Sequence, residues 1–333
     1  MTFTLPDVWT WDMWFADDGT DYHVFYLKAS RALGNPDRRH FHVTIGHAIS
    51  DDLRTWREVA DALIVSDEPA FDDYTTWTGS VVRDDDGLWR LFYTGTSRSE
   101  TGVVQRVGAA TSPDLYTWTK REGAVTEADP RWYEKFGSGD WFDEAWRDPW
   151  VYRDADGGGW HMLITARADT GDADNRGVIG HATSDNLDTW EVQPPLSSPG
   201  AGFGQLEVPQ IATIEGRQVL IFSCLASELS AARRVDGGGG VWAVAIDDQD
   251  AALPIDRAVR LTDESLYAGR LVESRSGEWF LFAFHHRDAS GAFVGALSDP
   301  IPVSWGGDGE LRVSDGRFDH LRTHARAAQP SGN

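Results

Sequence analysis

The sequence predicts an all-β fold, a five-bladed β-propeller of four-stranded antiparallel blades. One phrase of twelve residues occurs three times along the 333 residues, and an internal repeat of this length indicates an architecture of repeated units. Strand-favouring aromatic residues are abundant, with 16 Trp, 15 Phe and 8 Tyr. No long stretch has the periodicity of a helix.

The repeated phrase predicts the second half of each blade. Each copy begins as a strand that ends in Ser, continues through an Asp/Asn-Leu turn whose short polar side chain can bond nearby backbone, and closes on a Trp. We therefore predict a strand, a turn and an outer strand, and we expect the three Trp residues to pack. The copies are Ile45-Gly-His-Ala-Ile-Ser-Asp-Asp-Leu-Arg-Thr-Trp56, Val107-Gly-Ala-Ala-Thr-Ser-Pro-Asp-Leu-Tyr-Thr-Trp118 and Ile179-Gly-His-Ala-Thr-Ser-Asp-Asn-Leu-Asp-Thr-Trp190.

A second pattern, upstream of each copy, predicts the first half of the blade. An apolar run is followed by an Asp/Gly-rich turn and then by an alternating aromatic strand, as in a β-hairpin. Two diverged units fit the same template, so that third strands start near residues 45, 107, 179, 241 and 294. Such sheets bury both faces by packing against copies of themselves, and closing the ring hides their edges. We expect one catalytic propeller domain over residues 1–316 and a partly disordered tail over 317–333.

The charge of the chain restricts its partners. A formal net charge of −23 argues against nucleic acid and anionic membranes, because the long-range field would repel both, and it points to a neutral or cationic ligand. No apolar run reaches the roughly 20 residues that cross a bilayer, and the first residues lack the features of a signal peptide. We expect a cytoplasmic protein, with secretion after removal of a signal as the alternative. We expect no metal ion and no cofactor, and the oligomeric state stays open.

Three carboxylates at the starts of predicted inner strands are the candidate catalytic residues. Asp148 and Glu207 each lie nine residues before the turn glycine of their blade, and Asp12 lies seven before its own, which predicts equivalent positions. Crowded carboxylates shift one another's pKa values, so that one stays protonated as a general acid while another is ionised. Glycoside hydrolysis requires such a pair. Most other acidic residues fit turns, but a charge at the start of a central strand is costly without a purpose.

Short motifs on successive blades resemble glycoside hydrolase families 32 and 68, the invertases, fructan hydrolases and levansucrases. Arg147-Asp148-Pro149 resembles the Arg-Asp-Pro motif of these families, and Glu207-Val-Pro resembles their Glu-Cys-Pro or Glu-Arg-Pro motif. Trp77-Thr-Gly-Ser80 is similar to their aromatic-Ser-Gly-Ser segment, and Tyr267-Ala is similar to the Tyr-Ala of family 32. The order of the motifs makes the resemblance specific, and it covers all five blades.

The resemblance implies a retaining glycosidase that acts on β-fructofuranosides through a covalent fructosyl-enzyme, with either hydrolysis or transfer as the outcome. It makes Asp12 the nucleophile, Glu207 the general acid/base and Asp148 the stabiliser of the transition state. The segment Trp9-Thr-Trp-Asp-Met-Trp-Phe15 around the nucleophile is nearer to the Trp-Asp-Ser-Trp of family 68 than to the motif of family 32. The residues implied to bind the substrate are Trp11, Trp77, Ser80, Arg147 and Tyr267.

Two other functions remain open at this point. An inverting arabinofuranosidase or xylosidase of the related family 43 would place three acids at the same blade positions, although the Arg before Asp148 favours fructose. A sugar-binding propeller without catalysis is the second alternative. The loop over residues 124–145 is expected to form part of the leaving-group or acceptor subsite, with simple packing as its alternative. Its aromatic residues include Trp132, Tyr133, Trp141 and Phe142.

Overall fold

The computed structural model describes residues 3–154, 157–236, 238–246 and 252–321. Within these residues, five antiparallel sheets form the blades of a propeller, which confirms the predicted fold class. Among the same residues, no helix has the length and apolar character of a membrane span. Residues 322–333 of the predicted tail lie outside the described residues, and Phe318 and Leu321 just before them are buried.

The strands follow the chain from the innermost to the outermost position of each blade. Blade one contains β1 (Val8–Asp17), β2 (Tyr22–Ser30), β3 (Thr44–Ser50) and β4 (Arg57–Glu58). Blade two contains β5 (Thr75–Arg83), β6 (Trp89–Thr96), β7 (Gln105–Ser112) and β8 (Thr119–Lys120). Blade three contains β9 (Trp146–Arg153), β10 (Trp160–Arg167), β11 (Gly177–Ser184) and β12 (Glu191–Gln193).

Blades four and five continue the same order. Blade four contains β13 (Glu207–Ile214), β14 (Arg217–Cys224), β15 (Gly240–Ile246) and β16 (Val259–Arg260). Blade five contains β17 (Leu266–Glu273), β18 (Trp279–Arg287), β19 (Phe293–Leu297), β20 (Ile301–Trp305) and β21 (Leu311–Val313). Short 3₁₀ helices in the connections span Arg31–Leu33, Pro36–Phe41, Ala173–Asn175, Ala226–Glu228, Arg233–Asp236, Ile255–Arg257 and Gly316–Phe318.

Blade five differs in one detail from the predicted four-stranded form. Its third strand is split into β19 and β20, which both pair with β18. The split falls at residues 298–300, where Pro300 has no backbone N–H to donate to the ladder. The third strands of the five blades begin within two residues of the predicted positions, at Thr44, Gln105, Gly177, Gly240 and Phe293.

The repeated phrase forms the turn between the third and the outer strand, as predicted. The side chain of Asp52 accepts hydrogen bonds at 2.7 Å from the backbone amides two and three residues later, and Asn186 does the same at 2.9 Å. The residue that follows is a buried Leu in each copy, with φ of 60° at Leu53, 65° at Leu115 and 63° at Leu187. This left-handed backbone directs the leucine inward, so the phrase encodes the turn.

Two of the three tryptophans of the repeated phrase, Trp118 and Trp190, pack between neighbouring blades. Trp118 of blade two meets Phe25 of blade one edge-on, with ring centroids 5.7 Å apart. Trp190 of blade three meets Phe92 of blade two in the same way at 5.4 Å. These edge-to-face contacts explain why the scaffold repeats a tryptophan at this position.

Blade five closes the ring against blade one. The backbone N–H of Leu297 donates a hydrogen bond to the carbonyl of Phe3 at 3.1 Å. The guanidinium of Arg31 donates to the carbonyl of Val294 at 3.0 Å. Backbone and side-chain bonds therefore hold the seam between the first and the last blade.

Arg270, on the inner strand of blade five, joins all the other blades near the axis. Its side chain is 1% exposed, and Nη1 donates to the carbonyl of Pro209 in blade four at 2.8 Å. Nε and Nη2 lie 3.4 Å from the carbonyls of Met13 in blade one and Gly79 in blade two. The guanidinium also stands 4.9 Å from the ring centroid of Trp150 in blade three. One side chain thereby satisfies carbonyls that the inner strands leave unpaired.

Replacement of Arg270 by Met is expected to lower the free energy of unfolding by at least about 3 kcal/mol, because buried carbonyls of three blades lose their donor. Denaturant unfolding measures the loss. Arg153→Met is the matched control, since its partner Asp85 is exposed and such surface pairs contribute about 1 kcal/mol or less. Equal losses in the two variants would contradict the central role of Arg270.

Candidate active site

Every inner strand has a β-bulge at the same level of the propeller. The register shifts between Trp11 and Met13 in blade one and between Trp77 and Gly79 in blade two, and blades three to five shift at the corresponding level. A bulge leaves a residue out of the ladder and changes the direction of its side chain. Four of these positions have a non-glycine residue at positive φ: Asp12 at 28°, Asp148 at 57°, Val208 at 53° and Ala268 at 52°.

The register corrects the expectation that the three carboxylates occupy equivalent positions. Asp12 and Asp148 lie in the bulges, whereas Glu207 precedes the bulge at Val208 by one residue. Counting back from the turn glycine missed this offset because the hairpins differ in length. β10 begins seven residues after the last residue of β9, whereas β14 begins three residues after the last residue of β13.

Asp148 is fixed by contacts to two neighbouring blades. Its side chain is buried, and Oδ2 accepts a hydrogen bond from the backbone N–H of Val208 in blade four at 3.1 Å. The hydroxyl of Thr165 lies 2.9 Å from the same oxygen. The backbone N–H of Asp148 donates to the hydroxyl of Thr94 in blade two at 3.0 Å. Burial raises the pKa of Asp148, and the nearby guanidinium of Arg147 opposes that rise.

Glu207 is held by two donors. Its Oε1 accepts a hydrogen bond from Nη2 of Arg147 at 2.9 Å, and its Oε2 accepts one from the hydroxyl of Tyr267. Its side chain is 19% exposed, so one part of the carboxyl can meet a ligand. Burial alone would lower the pKa of Arg147, but the charges of Glu207, Asp143 and Asp148 hold that pKa above its ordinary value.

Asp12 faces the other two carboxylates from blade one. Its Oδ2 accepts a hydrogen bond from the hydroxyl of Thr78 in blade two. Burial, followed by the charge of Asp148, raises the pKa of Asp12 to about 7, although Thr78 and the guanidinium of Arg39 act in the opposite direction. The charge of Glu207 contributes to the same rise, which places all three carboxylates within electrostatic reach of one another.

The two predicted tryptophans flank a 3₁₀ helix, whereas Ser80 lies deeper. The ring of His40 stands 5.9 Å from that of Trp11 and 6.3 Å from that of Trp77, whose Nε1 donates to the His40 carbonyl at 2.8 Å. Ser80 is fully buried, and its hydroxyl accepts a hydrogen bond from the backbone N–H of Val151 at 3.1 Å. Ser80 therefore ties blade two to blade three, and the substrate contact expected for it stays a prediction.

Two glutamines that the sequence reasoning missed extend the network around Arg147. Gln105 accepts from Nη1 of Arg147 at 3.2 Å and donates to Asp143 at 2.7 Å. Gln205 accepts from Nη2 and donates to Glu228 at 2.6 Å. Burial, followed by the charge of Glu207, raises the pKa of Glu228 to about 8. These glutamines and acids belong to no repeat or motif. The only signal for them in the sequence is that Asp143 and Gln205 lie a few residues before Arg147 and Glu207.

The aromatic loop over residues 124–145 divides into two parts. Trp132 and Tyr133 pack against the core of blade three, and the ring of Tyr133 meets Trp146 at 4.7 Å. Trp141 is half-buried, whereas Phe142 is 62% exposed with its ring 5.0 Å from that of Trp141. Trp132 and Tyr133 therefore serve to pack the loop against blade three. The prediction of an acceptor subsite rests on Trp141 and Phe142.

These groups suit acid/base and nucleophilic chemistry on a bound ligand. Three carboxylates with different hydrogen-bond partners and one guanidinium lie at the starts of the inner strands, where burial raises the pKa values of Asp12 and Asp148. Among the residues that the structure describes, no group of three His, Cys, Asp or Glu side chains is arranged to hold a metal ion.

Curated relatives resemble parts of the chain. A β-fructofuranosidase, insoluble isoenzyme, from Arabidopsis thaliana is 27% identical over 203 residues, which cover 59% of this chain and 34% of that protein. The sucrose-6-phosphate hydrolase of Escherichia coli is 29% identical over 218 residues, covering 63% and 39%. The chain thus spans little more than a third of the length of these two relatives.

Solved structures share the fold over nearly the whole chain. An inulosucrase from Halalkalicoccus jeotgali bound to kestose superposes with a TM-score of 0.73 at 21% identity, covering 93% of this chain and 88% of that one. The levansucrase of Bacillus subtilis gives a TM-score of 0.71 at 15% identity, with coverages of 95% and 88%.

The family model described as the glycosyl hydrolases family 32 N-terminal domain matches residues 14–291, most of the chain. The match begins two residues after Asp12 and includes Asp148 and Glu207. It confirms the resemblance drawn from the motifs, and the chain belongs to glycosyl hydrolase family 32.

Proposed function

We propose that this protein is a glycoside hydrolase that cleaves β-fructofuranosides such as sucrose, fructo-oligosaccharides or fructan with retention of configuration. The observation that carries the proposal is that Asp12, Asp148 and Glu207 come together from three blades, with Arg147 beside Asp148 and Glu207. Family membership supports it, as do the names of the relatives, which include β-fructofuranosidases. The charge of −23 agrees with a neutral sugar as the substrate.

In the first step, the ionised carboxylate of Asp12 attacks the anomeric carbon of the fructosyl unit. Glu207 donates a proton to the leaving oxygen, the glycosidic bond breaks, and the leaving group departs as an alcohol. The fructosyl unit remains as an ester on Asp12. Arg147 and Tyr267 orient the Glu207 carboxyl through their hydrogen bonds to its two oxygens.

In the second step, Glu207 accepts a proton from water, which attacks the ester and releases fructose; a sugar hydroxyl in place of water gives transfer. Asp148 accepts hydrogen bonds from ring hydroxyls, and these strengthen as the ring gains positive character in each transition state. The backbone N–H of Val208 holds the Asp148 carboxyl in place, so little reorganisation is needed during the reaction.

Asp12→Asn is expected to reduce the kcat for fructose release from sucrose by about 10³-fold or more, because the amide cannot form the ester. Chromatography of the products measures the loss. Asp17→Asn is the matched control, since Asp17 ends the same strand at an exposed turn. Full activity in Asp12→Asn would reject the assignment of Asp12 as the nucleophile.

The configuration of the first sugar released, followed by NMR, tests the retaining mechanism in the same assay. Release of the β-anomer supports the double displacement at Asp12. Release of the inverted anomer would favour the family 43 type of reaction.

Glu207→Gln is expected to affect substrates according to their leaving group. Hydrolysis of sucrose should fall by roughly 10²- to 10⁴-fold, because its leaving oxygen needs the proton. An aryl fructoside with an acidic phenol should lose much less in the first step, which burst kinetics can isolate. Equal losses with both substrates would contradict the role of general acid.

Thr78→Val is expected to move the acid limb of the pH profile of kcat/KM to higher pH. The nucleophile must be ionised, so activity rises with pH through the Asp12 pKa of about 7, and the Thr78 hydroxyl favours the ionised form. Without that donor, the Asp12 pKa rises further. Thr76→Val is the control, because the buried Thr76 hydroxyl on the same strand has no partner among the described residues. If the acid limb were unchanged in Thr78→Val, ionisation of Asp12 would not be what controls that limb.

A further inference from the structure

We propose that two exposed aromatic platforms beside the candidate active site, Phe41 on Tyr74 and Phe142 on Trp141, bind the outer sugars of a neutral fructan or fructo-oligosaccharide chain. This inference rests on the proposed function and deepens it, because it names a substrate longer than a disaccharide. Exposed aromatic rings are costly in water and suit the apolar C–H faces of sugars.

The first platform is a rigid stack between blades one and two. The ring of Phe41 is 40% exposed and lies on that of Tyr74, with centroids 4.9 Å apart and an angle of 21° between the planes. The guanidinium of Arg98 lies 4.9 Å from the centroid of Tyr74. Gly102 has φ of 79°, and a Cβ there would come within 3.1 Å of both rings. Packing therefore fixes the stack, while one face of Phe41 stays open to solvent.

The second platform stands on the loop before blade three. Phe142 is 62% exposed and rests on Trp141 at an interplanar angle of 31°. The guanidinium of Arg167, itself 1% exposed, lies 3.7 Å from the Trp141 ring centroid. Trp141 also approaches Gly204 so closely that a Cβ there would lie 3.0 Å from the ring. The exposed phenyl ring thus lies on an indole that is packed against Arg167 and Gly204, and such preorganisation lowers the entropic cost of binding.

Both platforms are next in sequence to residues that lie at the candidate active site. Phe41 follows His40, whose ring lies between Trp11 and Trp77, and Phe142 precedes Asp143, which stands 3.6 Å from Arg147. The two platforms precede β3 and β9, so they lie at the end of the propeller where the inner strands begin.

The backbone connects the platforms across blade two. Gly102 contacts the first stack, and the next residue, Val103, accepts a hydrogen bond at 2.8 Å from the backbone N–H of Glu144, two residues after Phe142. The rim between the platforms is therefore continuous. A chain that leaves the pocket over blade two meets one ring or the other.

The chemistry of this rim favours a neutral polysaccharide as its occupant. With a net charge of −23, the protein repels anionic chains, and Glu144 and Asp143 lie beside the second platform. The exposed rings of Phe41 and Phe142 suit stacking by an uncharged sugar.

The test is direct binding in an Asp12→Asn background, where ligands are not consumed, by titration calorimetry with sucrose, kestose and longer inulin oligomers. Affinity should rise with chain length in the parent. Phe142→Ala and Phe41→Ala should each raise the Kd for the longer oligomers by roughly threefold to tenfold and leave the Kd for sucrose unchanged. Phe142→Trp should keep the affinity of the parent, because it retains an aromatic ring at this position.

Tyr116→Ala is the matched control, since Tyr116 is 43% exposed in the turn after β7, at the opposite end of the propeller. Its affinity should equal that of the parent at every chain length. Affinity that does not rise with length, or an equal loss for sucrose and inulin in the platform variants, would overturn the inference. Absence of fructose release by the wild type would reject the proposed function instead, and the binding experiment distinguishes the two failures.

Discussion

The guanidinium of Arg270 lies near the propeller axis, where it reaches backbone carbonyls of blades one, two and four and the indole of blade three. Burial lowers the pKa of Arg270 to about 10, while the charges of Asp148 and Asp12 oppose that fall, so the group stays charged at neutral pH. Its charge offsets part of the repulsion among the carboxylates above it. The same side chain therefore helps to close the ring of blades and to stabilise a pocket that contains several carboxylates.

Part of the backbone strain of the fold lies at the level of the pocket, and the rest lies in turns such as those at Leu53, Leu115 and Leu187. Non-glycine residues with positive φ occupy the bulges of four inner strands, and each such conformation costs about 1–3 kcal/mol. The adjoining blades hold these conformations, as the hydrogen bonds of Asp148 to blades two and four illustrate. Packing between the blades thus offsets the cost of the bulges that direct two carboxylates, Asp12 and Asp148, out of regular ladders.

The sequence was sufficient to predict the blades because repeated turns and strands are local patterns. Asp52 and Leu53 specify their turn through neighbouring amides and a left-handed backbone, so the phrase carries its own structure. Glu207 is offset by one residue from the bulge of its strand. Counting residues to the turn glycine does not detect this offset, because the hairpins differ in length. Gln105, Gln205 and Arg270 act through contacts with residues distant in sequence, and such contacts leave no periodic signal.

The hydrogen bond between Phe3 and Leu297 joins the first blade to the last, which constrains when the ring can close during synthesis. Blade one emerges from the ribosome first, yet its lateral partner β19 is translated only after three further blades. Joining segments so distant carries the largest loop-closure cost in the molecule, so the ring seals late. Until then Asp12 lies on a blade with one unprotected side. A nascent or clipped chain that lacks blade five would therefore hold folded blades and no assembled pocket.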